Sequence, residues 1–295
     1  MKTIKTIGLL IIITILQFIA MIISTQVIQF GPDFVLTPEE ASQSALLLAF
    51  VSLINSSIII YFFKRANNKD YKLLFWFIFI WFGIGTFMTQ IETWYFIDAF
   101  SLLNNDTLMK IFLMGFINTC LIIPASFFII SSKSNETINI EIRKALNVKI
   151  IKSALFISVV YVTLYYLAGY FIAWQFDAIR MHYSGSLEKL SFFEHTISLL
   201  KTDPYFFPFQ IFRGILWFFI GIPFFIILSK NRKECIIFSF FVFALLPSVQ
   251  LFLPNPLMSE AVRMGHFIEG FISNGIFGVI AALVWLKYDK KLTIK

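Results

Sequence analysis

The chain has 295 residues, of which 58% are hydrophobic, only 14% are charged and 38 are phenylalanine. A soluble domain of this length has too small an interior to bury so much apolar surface, so the composition excludes a water-soluble globular protein. It predicts an integral membrane protein surrounded by a lipid bilayer. The formal net charge of +7 then belongs to loops that orient the chain, and we expect no nucleic acid partner.

Eight apolar stretches are long enough to cross a bilayer, which needs about 20 residues of helix. They predict spans at 7–30, 42–63, 72–97, 108–130, 150–174, 206–228, 235–253 and 263–286. Strict alternation of apolar and polar residues, typical of membrane β-barrels, is absent. The predicted fold class is therefore all-α, a polytopic bundle of eight transmembrane helices forming one domain over 1–295. The tetrapeptides GFIN at 115–118 and GFIS at 270–273 are too short to establish an internal duplication.

Most of the 24 basic residues lie in alternate loops of this eight-span chain. Basic loops are retained in the cytoplasm during insertion, so both termini are predicted to be cytoplasmic and the 175–205 loop extracytoplasmic. We expect a multi-pass protein of a bacterial plasma membrane. The basic residues on the predicted inner side are Lys2, Lys5, Lys64, Arg65, Lys69, Lys72, Lys133, Arg143, Lys144, Lys149, Lys152, Lys230, Arg232, Lys233, Lys287, Lys290, Lys291 and Lys295.

The first apolar run has two interpretations, because Lys2 and Lys5 before an apolar core are also typical of a secretory signal. The run is long, and no clear small-x-small cleavage site follows it before Gly31. We therefore predict an uncleaved helix; cleavage would leave seven spans in the same orientation. Cys120 and Cys235 lie at different predicted depths and form no CxxC motif, so they are predicted to be packing residues.

Ionisable residues within the spans cluster at one predicted depth. With a helical rise of about 1.5 Å per residue, Glu92 lies roughly 8 Å and Arg213 roughly 10 Å below the outer boundary. Arg263 lies at the rim, with His266 and Glu269 roughly 5 and 9 Å deeper on the same scale. The sequence therefore predicts a polar layer in the outer third of the membrane, which Gln250 at the end of the seventh span also joins.

The eighth span concentrates its polar and small residues on one face. Within an arc of about 140° lie Arg263, His266, Glu269, Gly270, Ser273 and Asn274. The third span has a matching strip at Gly85, Thr89 and Glu92, and the sixth at Gln210, Arg213 and Gly214. We therefore expect the third, sixth and eighth helices to meet around a polar chamber that opens outward.

The residue types in this predicted chamber suit a membrane-embedded hydrolase or transferase acting on a lipid-linked or peptide substrate. Glu92 or Glu269 would be the general base, and His266 an acid or a metal ligand. Arg213 would stabilise an oxyanion or bind a head-group phosphate. Arg263, Gln250 and Asn274 are the further candidate substrate-binding residues. A divalent metal is a candidate cofactor, with His266, Glu269 and Glu92 as its candidate ligands.

The same residues allow three other interpretations. In the first, the arginines only neutralise the two glutamates and fix helix register, because an isolated charge in a bilayer is costly. The same carboxylates would carry protons in a transporter of a small anionic solute. The chain would also serve as a non-catalytic immunity, sensor or assembly subunit. The sequence contains no motif that would identify a known chemistry. The motifs sought were HExxH, DxxxD, GxGxxG, CxxC and the P-loop.

The outer loop contains an amphipathic segment at 186–201. Ser186 is a candidate N-cap, and Leu187, Leu190, Phe193, Ile197 and Leu200 share one face. The pattern predicts an interfacial helix that covers the chamber as a lid, with Glu194 and His195 on or beside its polar side. A surface helix that only covers the edges of the bundle is the alternative.

Overall fold

The computed structural model describes residues 2–31, 34, 37–66, 70–130 and 148–293, with side chains from 4 to 288 apart from 148. Within these ranges the chain is helical and has no β-strand. Eight of the described helices are long and apolar enough to cross a membrane, so the protein is an all-α polytopic membrane protein. The predicted inner loop with Lys133, Arg143 and Lys144 lies outside the described residues, as do Lys69 and Lys295.

The chain divides into two compact units, and each contains four of the eight long helices found in the described residues. The first unit comprises Met1–Ile140 with Val249–Met258, and the second comprises Glu141–Ser248 with Ser259–Lys295. The single domain expected over 1–295 stays a prediction.

The first unit carries the first four spans. Its helices are α1 (Lys2–Ile28), α2 (Pro38–Ala66), α3 (Tyr71–Phe82), α4 (Met88–Tyr95) and α5 (Asn105–Ile130). Asp70 begins α3 by accepting a hydrogen bond from the backbone N–H of Lys72. A π-helical turn, Gly83–Phe87, joins α3 to α4 within one continuous span. Such turns widen the helix locally and are frequent at functional sites.

The interior of the first unit combines aromatic packing with a hydrogen-bonded amide pair. Phe63 of α2 stacks on Phe77 of α3 with ring centroids 4.2 Å apart. Gln17 of α1 is fully buried and donates from Nε2 to Asn118 Oδ1 of α5 over 3.3 Å. Because lipid offers no hydrogen-bond partners, this amide pair fixes the register of α1 against α5.

The second unit carries the last four spans and two short helices. Its helices are α6 (Val148–Phe171), α7 (Asp177–Ser184), α8 (Phe192–Thr202), α9 (Phe206–Leu228), α10 (Arg232–Ser248) and α11 (Glu260–Thr293). Helix α6 packs against both α9 and α11, and α10 packs mainly along α11. The predicted bounds of the eight spans agree with these helices to within a few residues.

The predicted lid helix at 186–201 begins later than expected. Helix α8 covers Phe192–Thr202, and its N-cap is Ser191 rather than Ser186. Ser191 and Glu194 form a capping box, in which each side chain binds the other residue's backbone N–H. This reciprocal pair satisfies two N–H groups at once, whereas the Ser186 Oγ accepts from the N–H of Glu188 in a turn.

A short helix that the sequence pattern did not predict, α7, precedes this segment. Arg180 is buried and donates to the backbone oxygens of Trp174 and Leu187, at 2.6 and 3.1 Å, and to the carboxylate of Asp177. Gly185 then ends α7 with φ of +66°, a left-handed conformation that favours glycine. Arg180 therefore organises the loop between the fifth and sixth spans.

Candidate functional site

The eighth span brings a histidine and a glutamate together inside the second unit. His266 Nδ1 lies 3.0 Å from Glu269 Oε2, one helical turn away on α11. Glu269 is only 8% exposed, and His266 is partly buried. The Nε2 atom of His266 is buried and has no hydrogen-bond partner among the residues that the structure describes. A neutral imidazole that donates from Nδ1 to Glu269 presents the lone pair of Nε2 for proton transfer.

Helix α7 forms one wall beside this pair. A Cβ atom on Gly265 would lie 2.5 Å from Ile179 Cδ1, so the absence of a side chain there lets α7 pack closely on α11. This approach places the ring of Tyr183 at 5.5 Å and 89° from the ring of His266. Burial, together with the nearby His266, lowers the pKa of His182, so neutral His182 is favoured in the folded protein.

A second polar group, centred on Arg213, lies between α9 and α6. Arg213 is 2% exposed and donates from Nη1 to Gln210 Oε1 over 2.8 Å. Its guanidinium carbon lies 5.7 and 5.5 Å from the ring centres of Tyr161 and Tyr165 on α6. Attraction between the cation and these ring faces offsets part of the desolvation of the guanidinium.

A close helix contact sets the position of Arg213. A Cβ atom on Gly214 would lie 2.7 Å from Ser158 Cα of α6, so α6 and α9 approach almost backbone to backbone. The neighbouring Arg213 is therefore brought against the tyrosines of α6, which lie one and two turns of helix beyond Ser158. Sequence reasoning assigned no role to this fifth span.

Glu269 has a partner within its own helix. His266, at i−3 on α11, is its side-chain partner. The interpretation in which Arg213 and Arg263 neutralise Glu92 and Glu269 stays a prediction. Arg263 is buried in the first turn of α11.

The predicted polar face of α11 contacts α10 at Gly270. A Cβ on Gly270 would lie 3.0 Å from Ser248 Oγ and 3.6 Å from Asn274 Nδ2. Ser273 is buried and donates to the backbone oxygen of Glu269 over 2.8 Å. Gly270 thus approaches Ser248 of α10 closely, as small residues at helix contacts in membranes commonly do.

Glu92 and Gln250 belong to the first unit. Glu92 is half-buried in α4, one turn after the π-helical segment, in a stretch where Thr93 Oγ1 donates to the backbone oxygen of Thr89 over 3.1 Å. Gln250 is exposed in a 3₁₀ turn, Val249–Phe252, because α10 ends at Ser248. Helices α9 and α11 contact each other within the second unit. The meeting of the third span with these two stays a prediction.

The candidate metal ligands do not form a metal site in the described part of the chain. No three His, Cys, Asp or Glu side chains are grouped there in a way that would hold an ion. His266 and Glu269 supply two donors at most, and they bind each other. The residues present therefore do not fit the divalent metal that the sequence suggested, and we derive no step through it.

Four aromatic or titratable residues beside the predicted site were missed in the sequence. Tyr161 and Tyr165 are spaced by one helical turn in the fifth span, a pattern that predicts one shared face. His182 and Tyr183 lie in a loop whose short helix was not predicted. The spacing of the tyrosines was a usable signal, whereas the position of His182 and Tyr183 depends on how α7 docks onto α11.

Comparison with known protein families, with curated proteins and with solved structures gives no match to this chain.

Proposed function

We propose that this membrane protein is a hydrolase or transferase that uses the His266–Glu269 pair as its general base and acid. One observation carries the proposal: His266 Nδ1 lies 3.0 Å from Glu269 Oε2. The buried Nε2 has no protein partner among the described residues, so it is the nitrogen that we assign to the substrate. A carboxylate that accepts from Nδ1 holds the imidazole in one tautomer and stabilises the imidazolium that forms when Nε2 takes a proton.

The proton balance of the proposed reaction is simple. Nε2 of His266 takes the proton of a water or hydroxyl nucleophile. At the same time, the oxygen of that nucleophile attacks a carbonyl or phosphoryl centre of the substrate. The resulting imidazolium, stabilised by Glu269, returns that proton to the leaving group. Proton transfer by a positioned side chain typically contributes roughly 10²- to 10⁴-fold to the rate.

Arg213 is the proposed residue for negative charge on the substrate. A guanidinium presents several N–H donors in a rigid plane, which suits a carboxylate, a phosphate or a developing oxyanion. The Gln210 contact and the two α6 tyrosines hold it in one position. Arg263 and Asn274 on α11 remain proposed substrate contacts, and Glu92 and Gln250 remain candidates from the first unit.

The proposed substrate is lipid-linked or a peptide within the bilayer. The proposed base lies on a helix that crosses the membrane, so a substrate that partitions into the bilayer would reach it more readily than a solute in water.

The test compares turnover by purified protein in detergent micelles, with a fluorescent long-chain ester and a fluorescent lipid-anchored peptide as probes. His266→Gln and Glu269→Gln should each lower turnover by roughly 10²-fold or more. Glu260→Gln makes the same chemical change at an exposed site in the first turn of α11 and should leave turnover unchanged. The proposal would be refuted if His266→Gln or Glu269→Gln kept wild-type activity. It would also be refuted if the wild type turned over neither probe.

A proton-coupled transporter is the second candidate, and one observation in the first unit favours it. The buried Gln17 and the partly buried Asn118 form an amide pair well inside their spans, and Asn55 and Ser56 are buried on α2. Polar side chains at that depth would suit a path across the membrane. Acidification of proteoliposomes on addition of small organic anions, abolished by Glu269→Gln, would favour transport over hydrolysis.

A further inference from the structure

Helix α8 has three distinct faces, and the first is bound to the protein. The hydroxyls of Tyr166 and Thr196 are 2.6 Å apart, and Tyr170 donates to the backbone oxygen of Leu190 over 2.8 Å. The ring of Phe192 stacks on Phe171 of α6 with centroids 5.4 Å apart. This face therefore docks α8 on the end of the fifth span.

The protein-facing side of α8 also holds His195, which the sequence placed on or beside the polar side of the helix. Its ring centre lies 4.9 Å from that of Trp174 and 5.5 Å from that of Tyr170. Phe192 is adjacent to both Tyr166 and Tyr170. His195 is thus surrounded by aromatic rings of the fifth span and contributes to docking.

The second face of α8 is apolar and exposed. Phe193, Ile197 and Leu200 are 77%, 53% and 51% exposed. At about 100° per residue these three side chains fall within an arc of about 60°. An exposed patch of large apolar side chains on an otherwise docked helix marks an interaction surface.

The third face is charged and lies beside the apolar one. Glu194 and Lys201 are exposed there, about 40 to 120° around the helix from the three apolar side chains. Glu194 is held by Ser191, whose side-chain and backbone hydrogen bonds lower the pKa of this carboxyl and keep it ionised. An apolar face beside a charged one is the pattern of a helix lying at a membrane surface.

The position of α8 in the chain identifies the partner of its apolar face. The fifth span ends at Gln175 and the sixth begins at Phe206, and these antiparallel helices pack against each other. Their adjoining ends therefore emerge at the same membrane surface, and α8 lies between them. Phe171 and Phe212, near those ends, are also exposed, so the apolar band of the spans continues onto α8.

We propose that α8 is an interfacial helix that inserts Phe193, Ile197 and Leu200 into the lipid leaflet at the surface where the fifth and sixth spans meet. The partner is the boundary between lipid head groups and acyl chains. The docked face holds the helix to α6, and the charged face remains in water. This proposal does not depend on the chemistry of His266 and Glu269.

The experiment measures the surroundings of single nitroxide labels in vesicles of phosphatidylcholine and phosphatidylglycerol. A variant without native cysteines, Cys120→Ala with Cys235→Ala, receives either Leu200→Cys on the apolar face or Lys201→Cys on the charged face. Power saturation then compares collision with oxygen, which concentrates in lipid, and with a water-soluble nickel chelate. The two sites are neighbours in the sequence but lie about 100° apart around the helix, so Lys201→Cys is a matched control.

The label at 200 should show an oxygen-to-nickel collision ratio severalfold higher than the label at 201. Phe193→Cys should behave like Leu200→Cys, because both lie on the apolar face. Equal ratios at 200 and 201 would overturn the proposal. Protection of 193 and 200 from both reagents would also overturn it, because that result indicates that protein covers this face.

Discussion

The guanidinium carbon of Arg213 lies 5.5 Å from the centre of the Tyr165 ring, across the contact between α9 and α6. Tyr165→Leu removes the ring and should lower the free energy of unfolding by roughly 0.5 to 2 kcal/mol, whereas Tyr165→Phe keeps most of the cation–π attraction. Thermal unfolding in detergent measures both. Tyr205→Leu, the same change at an exposed site, is the control.

A double-substitution cycle isolates the contact itself. Arg213→Met and Tyr165→Leu together should cost less than the sum of the two single changes, because each alone already removes the interaction. Strict additivity would show that Arg213 and Tyr165 are neighbours without energetic coupling.

The contact of Gly214 with Ser158 gives a second prediction. Gly214→Ala places a methyl group where Ser158 Cα is 2.7 Å away, so α6 and α9 must separate. Overpacking of this kind typically costs about 1 to 3 kcal/mol. The control is Gly169→Ala on α6, where nothing lies within 4 Å and alanine favours the helix by up to about 1 kcal/mol.

Both glycine variants are measured by the midpoint of thermal unfolding in the same detergent. Gly214→Ala should unfold at a lower temperature than the wild type, and Gly169→Ala at the same or a higher one. Equal behaviour of the two variants would contradict the close packing of α6 on α9.

The membrane spans were predictable because their signal is local. Each is a run of about 20 apolar residues, and lipid requires such a run to form a helix whatever its neighbours are. The ends were less predictable, since caps and turns decide them: the third span was expected at 72–97 and covers Tyr71–Tyr95. The lid segment shows the same limit, because both Ser186 and Ser191 are plausible caps and only Ser191 has a glutamate three residues later.

The site was predictable only where its residues share one helix. His266 and Glu269 are three residues apart, so helical geometry alone places them side by side. Tyr183 reaches His266 because α7 docks at Gly265, and the tyrosines reach Arg213 because α6 approaches α9 at Gly214. Those contacts join residues distant in sequence, and nothing in the local pattern of either helix specifies them.

The predicted orientation is tested by thiol labelling in intact cells. Positive charge in alternate loops predicts that Ser186 lies outside and Asn231 inside. In a background without Cys120 and Cys235, Ser186→Cys should react with a membrane-impermeant maleimide and Asn231→Cys only after the cells are permeabilised. The reverse pattern would invert the topology, and labelling of both in intact cells would contradict the span between them.

The last prediction concerns stability against pH and rests on His195. Burial lowers the pKa of this histidine from its ordinary value of 6.5, so the folded state favours the neutral ring. Between that lowered pKa and about 6.5 the unfolded chain binds more protons than the folded one, and stability therefore decreases as the pH falls through this window. His182, whose pKa is also lowered by burial, acts in the same direction.

His195→Phe removes the titrating group and keeps an aromatic ring of similar size against Trp174 and Tyr170. Its unfolding midpoint should therefore fall less between about pH 7.5 and 5 than that of the wild type, while the two midpoints stay close at the higher pH. The measurement is thermal unfolding in detergent at a series of pH values. If the unfolding midpoint of His195→Phe depends on pH as strongly as that of the wild type, the prediction is wrong. His195 would then be protonated as readily in the folded wild-type chain as in the unfolded one.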